Sequence, residues 1–263
     1  MILVSHLPSE DLQNFIKEFY FIQLEAETKS IPVIDDCSYD LVCFKEGDAQ
    51  LSYGKPAQFL PINHHLFTIH QLVPPYQIHF KRSLTFFTIK LQPWMNGSLF
   101  SGLKSPGIID ISPNIFTSNE FTSEIFKYES TKDMFHRADI EMAAYLPKIT
   151  KQTDLTRQIC LRVIDKRGMI SVSDLSKEFE KSRQYLNKIF KQHVLYSLKK
   201  YITIVRILDL IKSYSKDNGR SLTELAYEYE YFDQAHFNHD FKQVSGVTPK
   251  YFFENLPEFL LRH

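Results

Sequence analysis

Two stretches in the C-terminal half carry polar side chains that can hydrogen-bond with the edges of nucleic acid bases. Residues 175–191 read LSKEFEKSRQYLNKIFK, and residues 225–242 read LAYEYEYFDQAHFNHDFK. Arginine and lysine can pair with guanine in the major groove of DNA, and asparagine and glutamine can pair with adenine. This chemistry needs a helix that presents those side chains outward while its apolar residues hold it in place.

The two stretches repeat one another. Leu175 matches Leu225 at an offset of 50 residues, and Phe190 matches Phe241 at an offset of 51. Each stretch has the pattern of a short helix, a tight turn and a second helix, which is the spacing of a helix-turn-helix unit. Any hairpin of two helices could have the pattern of one such unit. Two units in register are much stronger evidence for helix-turn-helix structure.

Polar capping residues before each apolar-periodic run predict seven helices in the C-terminal part. Ser171 and Ser221 have capping-box spacing with Asp174 and Glu224. The predicted helices begin near residues 154, 171, 182, 197, 221, 233 and 248. The helix at about 197–214 joins the two units and spans about 27 Å. Because successive major grooves lie about 34 Å apart, this helix could place both units in adjacent grooves.

Charge is unevenly distributed along a chain whose formal net charge is zero. Residues 154–216 hold 14 Lys/Arg and 6 Asp/Glu, a net of +8, whereas residues 217–263 hold 4 and 8, a net of −4. A basic segment inside a neutral chain indicates a face that binds a polyanion. On charge alone, a solvated helical surface stays an open alternative.

Aromatic and β-branched runs dominate the N-terminal part, with Gly and Pro between them. Strands are predicted at 14–25, 39–44, 66–73, 76–80 and 84–91, which indicates a small β-barrel or sandwich. Helical spacing predicts two trailing helices at about 115–129 and 132–147, and the polar segment 148–154 is the candidate linker. The predicted fold class is α+β, with a β-rich effector or dimerisation domain at 1–150, including helices at about 115–149, and an all-α, seven-helix domain at 153–263.

Composition excludes several classes of protein. The chain has 263 residues, 43% hydrophobic and 24% charged, as expected of a soluble, cytoplasmic protein of two domains. No run approaches the 18 or so apolar residues of a membrane span. The three cysteines are too scattered for a disulfide framework, and Cys37 lies beside carboxylates that would raise the pKa of its thiol. We therefore expect no enzyme activity, no metal and no cofactor.

The C-terminal part, about 155–253, resembles the DNA-binding domain of the AraC/XylS family of bacterial transcription regulators. The resemblance is most specific in residues 225–226, residues 233–242 and the Gly246-Val-Thr-Pro249 run. The first unit matches through Ser182, Leu186, Phe190, Lys191, Tyr201 and Arg206. The chain departs from the family where Glu180 and Glu230 replace the turn glycine and Leu195 replaces another. The N-terminal part is loosely similar to the effector or dimerisation domain of such regulators.

The resemblance implies a sequence-specific regulator, expected to be an activator, in which both second helices contact DNA. The predicted DNA-binding residues are Ser182, Arg183, Gln184, Asn187, Lys188, Lys191, Lys199, Lys200, Gln234, Ala235, Asn238 and His239. Expected partners are double-stranded DNA, RNA polymerase, a small-molecule effector and a second copy of the chain, with no membrane. Because Asp233 and Asp240 make the second unit acidic, a divergent interaction module with little DNA binding stays the alternative.

Overall fold

The computed structural model of the protein describes residues 2–25, 30–112, 121–145, 147–216 and 220–255. Its strands lie in the N-terminal region. They are β1 Ile2–His6, β2 Ile16–Leu24, β3 Ser30–Val33, β4 Asp40–Glu46, β5 Ala49–Tyr53, β6 Gln58–Pro61, β7 Leu66–His70, β8 Tyr76–Phe80, β9 Leu84–Leu91 and β10 Gly107–Asp110.

Helices accompany the strands and then make up the described part of the C-terminal region. In the N-terminal region they are α1 Asn96–Phe100, α2 Phe121–Ile125 and α3 Thr131–Ala143, with short 3-10 turns at Glu10–Leu12 and Pro93–Met95. In the C-terminal region they are α4 Lys151–Asp165, α5 Val172–Glu178, α6 Arg183–His193, α7 Leu198–Lys216, α8 Leu222–Glu228, α9 Gln234–Ser245 and α10 Pro249–Glu254. Below, α6 and α9 are called the first and second recognition helices, and α7 the linker helix.

The strands form two antiparallel sheets that remain open within the described residues. The larger sheet has the order β1-β2-β9-β4-β7-β10, and the smaller has the order β3-β8-β5-β6. At the centre of the larger sheet, Phe87 of β9 pairs with Phe21 of β2 on one side and with Cys43 of β4 on the other. The predicted α+β class is confirmed, and of its two N-terminal options the sandwich-like one describes the sheets, since neither closes into a barrel.

The two faces of the larger sheet have different neighbours, because successive side chains of a strand point to opposite faces. Phe87 is fully buried in a cluster with Phe135 and Ala138 of α3. The adjacent Phe86 points the other way and packs in the cluster that contains Phe80 of the smaller sheet. One face therefore carries a helix, and the other faces the second sheet.

Several predicted boundaries are wrong. The helix predicted at 132–147 ends at Ala143, because Pro147 disfavours helical geometry just before it. The helix predicted at 115–129 is described only from Phe121 and ends at Ile125, while residues 113–120 and 146 lie outside the described residues. The linker predicted at 148–154 is shorter, because α4 begins at Lys151, capped by the Thr150 side chain.

The seven predicted C-terminal helices are all observed. Ser171, Ser182, Ser221, Asp233 and Thr248 each accept a hydrogen bond from a backbone N–H three residues later, as expected of N-caps. The strands β1, β3, β5, β6 and β10 were not predicted. No helix among the described residues combines the length and hydropathy that a membrane span requires.

Candidate nucleic-acid interface

The first helix-turn-helix unit consists of α5, a tight turn and the first recognition helix. Leu175 and Leu186 are fully buried against each other's helices and hold the pair together. The turn contains Glu180 at φ 52°, the left-handed conformation expected from its alignment with a turn glycine. The Ser182 side chain accepts a hydrogen bond from the Tyr185 backbone N–H and so begins the recognition helix.

The outward face of the first recognition helix is basic and polar. Arg183, Gln184, Lys188 and Lys191 are exposed, and Asn187 is partly buried. The Arg183 guanidinium donates a hydrogen bond to Ser173 Oγ at 2.8 Å, and the Asn187 amide donates to the Arg183 carbonyl oxygen at 3.2 Å. These predicted DNA contacts therefore share one accessible face, while Leu186, Ile189 and Phe190 are buried.

The second unit repeats this construction with different caps. Ser221 and Glu224 form a complete capping box on α8, and the turn contains Glu230 at φ 58°. Asp233 caps the second recognition helix by accepting the His236 backbone N–H at 2.7 Å. The helix ends at Gly246, whose φ of 76° is the left-handed C-terminal conformation that glycine adopts readily.

The outward side chains of the second recognition helix bind largely to one another. Asp240 lies 3.6 Å from His236 and 3.4 Å from His239, and Gln243 lies 3.2 Å from His239. The remaining predicted contacts are Gln234 and Ala235, which are exposed, and Asn238, which is partly buried. This helix therefore presents less free polar surface to a ligand than the first.

Lys199 and Lys200, predicted to contact phosphates, are exposed at the start of the linker helix. With Thr203 they line a groove of about 260 Å³ whose other wall is His239 and Gln243. The structure thus brings these two lysines beside the second recognition helix, although their sequence positions follow the first.

Arginines fix the second unit against the rest of the C-terminal region. Arg167 Nε donates to Asp209 of the linker helix at 2.7 Å, and its guanidinium also contacts the Tyr229 hydroxyl. Arg206 Nε donates to the Gly168 carbonyl oxygen at 2.8 Å and packs over the Tyr231 ring. These contacts hold the two helix-turn-helix units at a set separation.

A second candidate site is an apolar cavity of about 390 Å³ between the sheets. Its walls include Phe44, Ile69, Ile78 and Phe86, and the linker helix contributes Leu208, Ile211 and Lys212. Both regions of the chain therefore enclose it. We call it the intersheet pocket.

One end of the intersheet pocket is charged. Asp36 lies 3.1 Å from Lys17 and 3.2 Å from Lys90, and Asp40 lies 3.3 Å from Lys90. Burial alone would raise the pKa of Asp36, but the two lysines hold it well below its usual value. Burial raises the pKa of Asp40 despite Lys90. No local motif marks this cluster in the sequence, because its members lie on separate strands and a loop.

The reading of Cys37 as an unreactive thiol agrees with its surroundings. The residue is fully buried, and burial together with Asp35 and Asp36 raises the pKa of the thiol well above its usual value. A thiolate, the reactive form, is therefore disfavoured at this position.

Comparison with known proteins gives a family for the C-terminal region and a fold for the chain. Residues 175–255 match the family model of a helix-turn-helix domain. A 1.65 Å structure of ToxT from Vibrio cholerae aligns over 92% of this chain and 99% of ToxT, at 12% identity and a TM-score of 0.50. A structure of ToxT from Vibrio cholerae O395 aligns over 92% and 98%, at 15% identity and a TM-score of 0.48. A search of the curated proteins finds no match.

Proposed function

We infer that this protein is a DNA-binding transcription regulator, because its C-terminal region is an AraC-type helix-turn-helix domain. The observation that carries the inference is the exposed face of the first recognition helix. It presents Arg183, Lys188 and Lys191 together with two amide side chains, and residues 182–191 contain no Asp or Glu. Such a face combines phosphate attraction with the donors and acceptors that read base edges.

Binding to duplexes selected from a random library tests this inference. Fluorescence anisotropy at about 50 mM and about 200 mM salt should show an affinity that falls steeply, because lysine and arginine contacts release counterions. If no duplex binds at the lower salt concentration, the regulator inference fails. The divergent interaction module would then be the better description of both units.

We also propose that a small molecule in the intersheet pocket gates DNA binding. The volume of about 390 Å³ lies within the range of small-molecule sites, and the lining is mainly apolar. The lining suits an elongated apolar molecule, and its lysines, Lys17, Lys90 and Lys212, can attract an acidic head group that competes with the carboxylates beside them. Because the linker helix forms part of the wall, an occupant contacts both regions at once.

Calorimetric titration with oleate, as a probe of this class, tests the pocket. The variant Ile69→Trp fills the cavity with a larger side chain and should abolish binding. Val73→Trp is the matched control, since Val73 is 63% exposed and lies outside the lining. Equal binding of oleate by both variants would place the ligand elsewhere.

We propose that the regulator is an activator and that its second unit contacts RNA polymerase. Tyr227 and Phe232 of this unit are 65% and 87% exposed. Exposed aromatic side chains are enriched where proteins bind one another. In a promoter reporter, Phe232→Ala should lose activation while the purified variant keeps its affinity for DNA. Repression in place of activation by the unaltered chain would contradict the proposal.

A homodimer through α3 is the last part of the proposal. The inner face of α3 is buried on the larger sheet, and its outer face exposes Ile140 at 51%. Helix faces pack readily in a twofold pair. Sedimentation of the full chain should show a dimer that Ile140→Asp dissociates. A strictly monomeric chain at high concentration would exclude it.

A further inference from the structure

Two adjacent carboxylates in residues 34–39 point toward different parts of the molecule. Asp36 pairs with Lys17 and Lys90 at the charged end of the intersheet pocket. Asp35 instead accepts a hydrogen bond from the Tyr196 hydroxyl at 2.8 Å, in the turn that follows the first recognition helix. One short segment therefore contacts both the pocket and the C-terminal region.

The backbone of this segment is held in one shape. Asp35 Oδ1 accepts the Cys37 N–H at 2.9 Å, and Asp36 Oδ1 accepts the Ser38 N–H at 3.1 Å. Cys37 has φ 61°, a left-handed conformation that a residue with a side chain adopts only when its surroundings impose it. Because the turn is tight, a movement of Asp36 must displace Asp35 and Cys37 as well.

A second buried contact joins the same segment to the end of the first recognition helix. The Asn96 amide donates to the Cys37 carbonyl oxygen at 2.7 Å and to the Val194 carbonyl oxygen at 3.0 Å. Its side-chain oxygen accepts the Tyr39 N–H at 3.1 Å. Asn96 is fully buried, so no water replaces these partners if one of them moves.

We propose that residues 34–39, here called the coupling loop, transmit the state of the intersheet pocket to the C-terminal end of the first recognition helix. The proposal deepens the proposed function and rests on the pocket being a ligand site. An acidic head group that draws Lys17 or Lys90 away from Asp36 changes the partners on one side of the loop. Tyr196 and Val194 then follow on the other side.

The hydrogen bonds of this route lead to the end of the first unit, which distinguishes it from the linker helix. Leu208 and Ile211 also line the pocket, but the linker helix packs against both units, so its displacement affects both. The coupling loop contacts Tyr196 directly and Val194 through Asn96, both at the end of the first unit. A change confined to the first unit is therefore its signature.

Hydrogen exchange of the full chain, without ligand or DNA, tests the loop. Lys17→Met keeps the apolar stem of the side chain and removes one partner of Asp36. Amides in residues 192–197 should then exchange about threefold faster than in the unaltered chain. Peptides covering residues 243–248 of the second unit should not change. Lys81→Met is the matched control, because Lys81 pairs with Asp48 at 3.2 Å on the surface of the other sheet.

Equal exchange in residues 192–197 of Lys17→Met and the unaltered chain, with both folded by thermal melting, would overturn the proposal. So would equal acceleration in both units, since that result assigns the coupling to the linker helix. Because this measurement needs neither ligand nor DNA, it succeeds or fails independently of the proposed function.

A conservative variant on the other side of the loop completes the test. Tyr196→Phe removes only the hydroxyl that Asp35 accepts and keeps the ring. It should bind oleate as the unaltered chain does, while the effect of oleate on DNA affinity is lost. An unchanged effect of oleate in Tyr196→Phe would overturn the coupling role even though the pocket binds its ligand.

Discussion

The two helix-turn-helix units share one construction and differ in what they offer to DNA. Both begin their recognition helix with a side-chain cap and turn through a left-handed glutamate. The first then presents the exposed basic side chains of Arg183, Lys188 and Lys191, whereas the second ties His236, His239 and Asp240 to one another. The apolar positions preserve the fold of a unit, and the outward positions change without disturbing it.

The units also differ in how the N-terminal region holds them. The first is contacted by Asn96 and by Gly97, where an added methyl group would lie 1.9 Å from the Gln192 carbonyl oxygen. The second is contacted at Gly246, where an added methyl group would lie 2.2 Å from the backbone nitrogen of Pro75. Each recognition helix is thus held at its C-terminal end, but only the first through a buried hydrogen bond from Asn96.

The largest effect is expected from closing the space at Gly97. Gly97→Ala forces the backbones of α1 and the first recognition helix apart, and should reduce the free energy of unfolding by about 3 kcal/mol. Urea denaturation measures this loss. Gly102→Ala is the matched control, since nothing lies within 4 Å of the added methyl group, and it should be neutral. Equal stability of both variants would show that the close approach at Gly97 relaxes without cost.

The next largest effect is a difference in DNA affinity between variants of the first unit and variants of the second. Arg183→Ala removes an exposed guanidinium from the first unit and should weaken binding by about 1–3 kcal/mol if that group reads a base. Asn238→Ala should cost less, because Asn238 is partly buried on an acidic helix. Anisotropy with the selected duplex measures both. A larger loss at Asn238, or equal losses, would contradict the unequal roles of the units.

Removing one negative charge from the second unit should narrow the difference between the two units in their contribution to DNA affinity. Asp240→Asn leaves His236 and His239 without their carboxylate partner, and DNA affinity should rise by about 0.5 kcal/mol. The gain should shrink as salt is added, because the charge acts on phosphates. Asp48→Asn, between β4 and β5 in the N-terminal region, is the control and should not alter affinity. A loss of affinity in Asp240→Asn would mean that the carboxylate positions a contact.

The last effect concerns pH and a buried histidine of the first unit. His193 ends the first recognition helix, and burial lowers its pKa below the usual 6.5. Below that value the unfolded chain binds a proton that the folded chain does not, so stability falls with decreasing pH. Between about pH 7 and pH 5.5 the loss that comes from His193 alone should be below about 1.5 kcal/mol.

Denaturation at the two pH values checks this, with His193→Gln expected to remove part of the dependence. Burial also lowers the pKa of His70, which contributes in the same direction. His236→Gln, at an exposed position of the second unit, is the matched control. A full pH dependence in His193→Gln would show that His193 does not contribute to it.

The sequence was most informative where structure is local. Caps such as Ser182, Ser221 and Asp233 bond to amides three residues away, so residue types at fixed spacing were enough to predict them. The same holds for the matched apolar positions of the two units, since Leu175, Phe190 and Phe241 are buried in the core. The DNA contacts themselves remain predictions drawn from this framework.

Non-local features escaped the sequence. Strand β5 alternates apolar and polar residues, but only over five positions that include the small Ala49 and Ser52, so its pairing with β6 and β8 decides its structure. Nothing in the sequence around Asn96 and Gly97 marks them, because their structural roles depend on contacts with residues almost 100 positions away. The intersheet pocket likewise gathers its charged end from β2, the coupling loop and β9.

The joint core of the two regions also has a consequence for synthesis. Cys37, Trp94 and Met95 share a buried cluster with Val163, Tyr201 and Phe252. At the elongation rates of ribosomes, Phe252 follows Trp94 by about 8–30 seconds. During that interval the nascent N-terminal region exposes an apolar surface that only later residues cover. We therefore expect chaperones to bind that surface on the ribosome, and final folding to wait for the last helices.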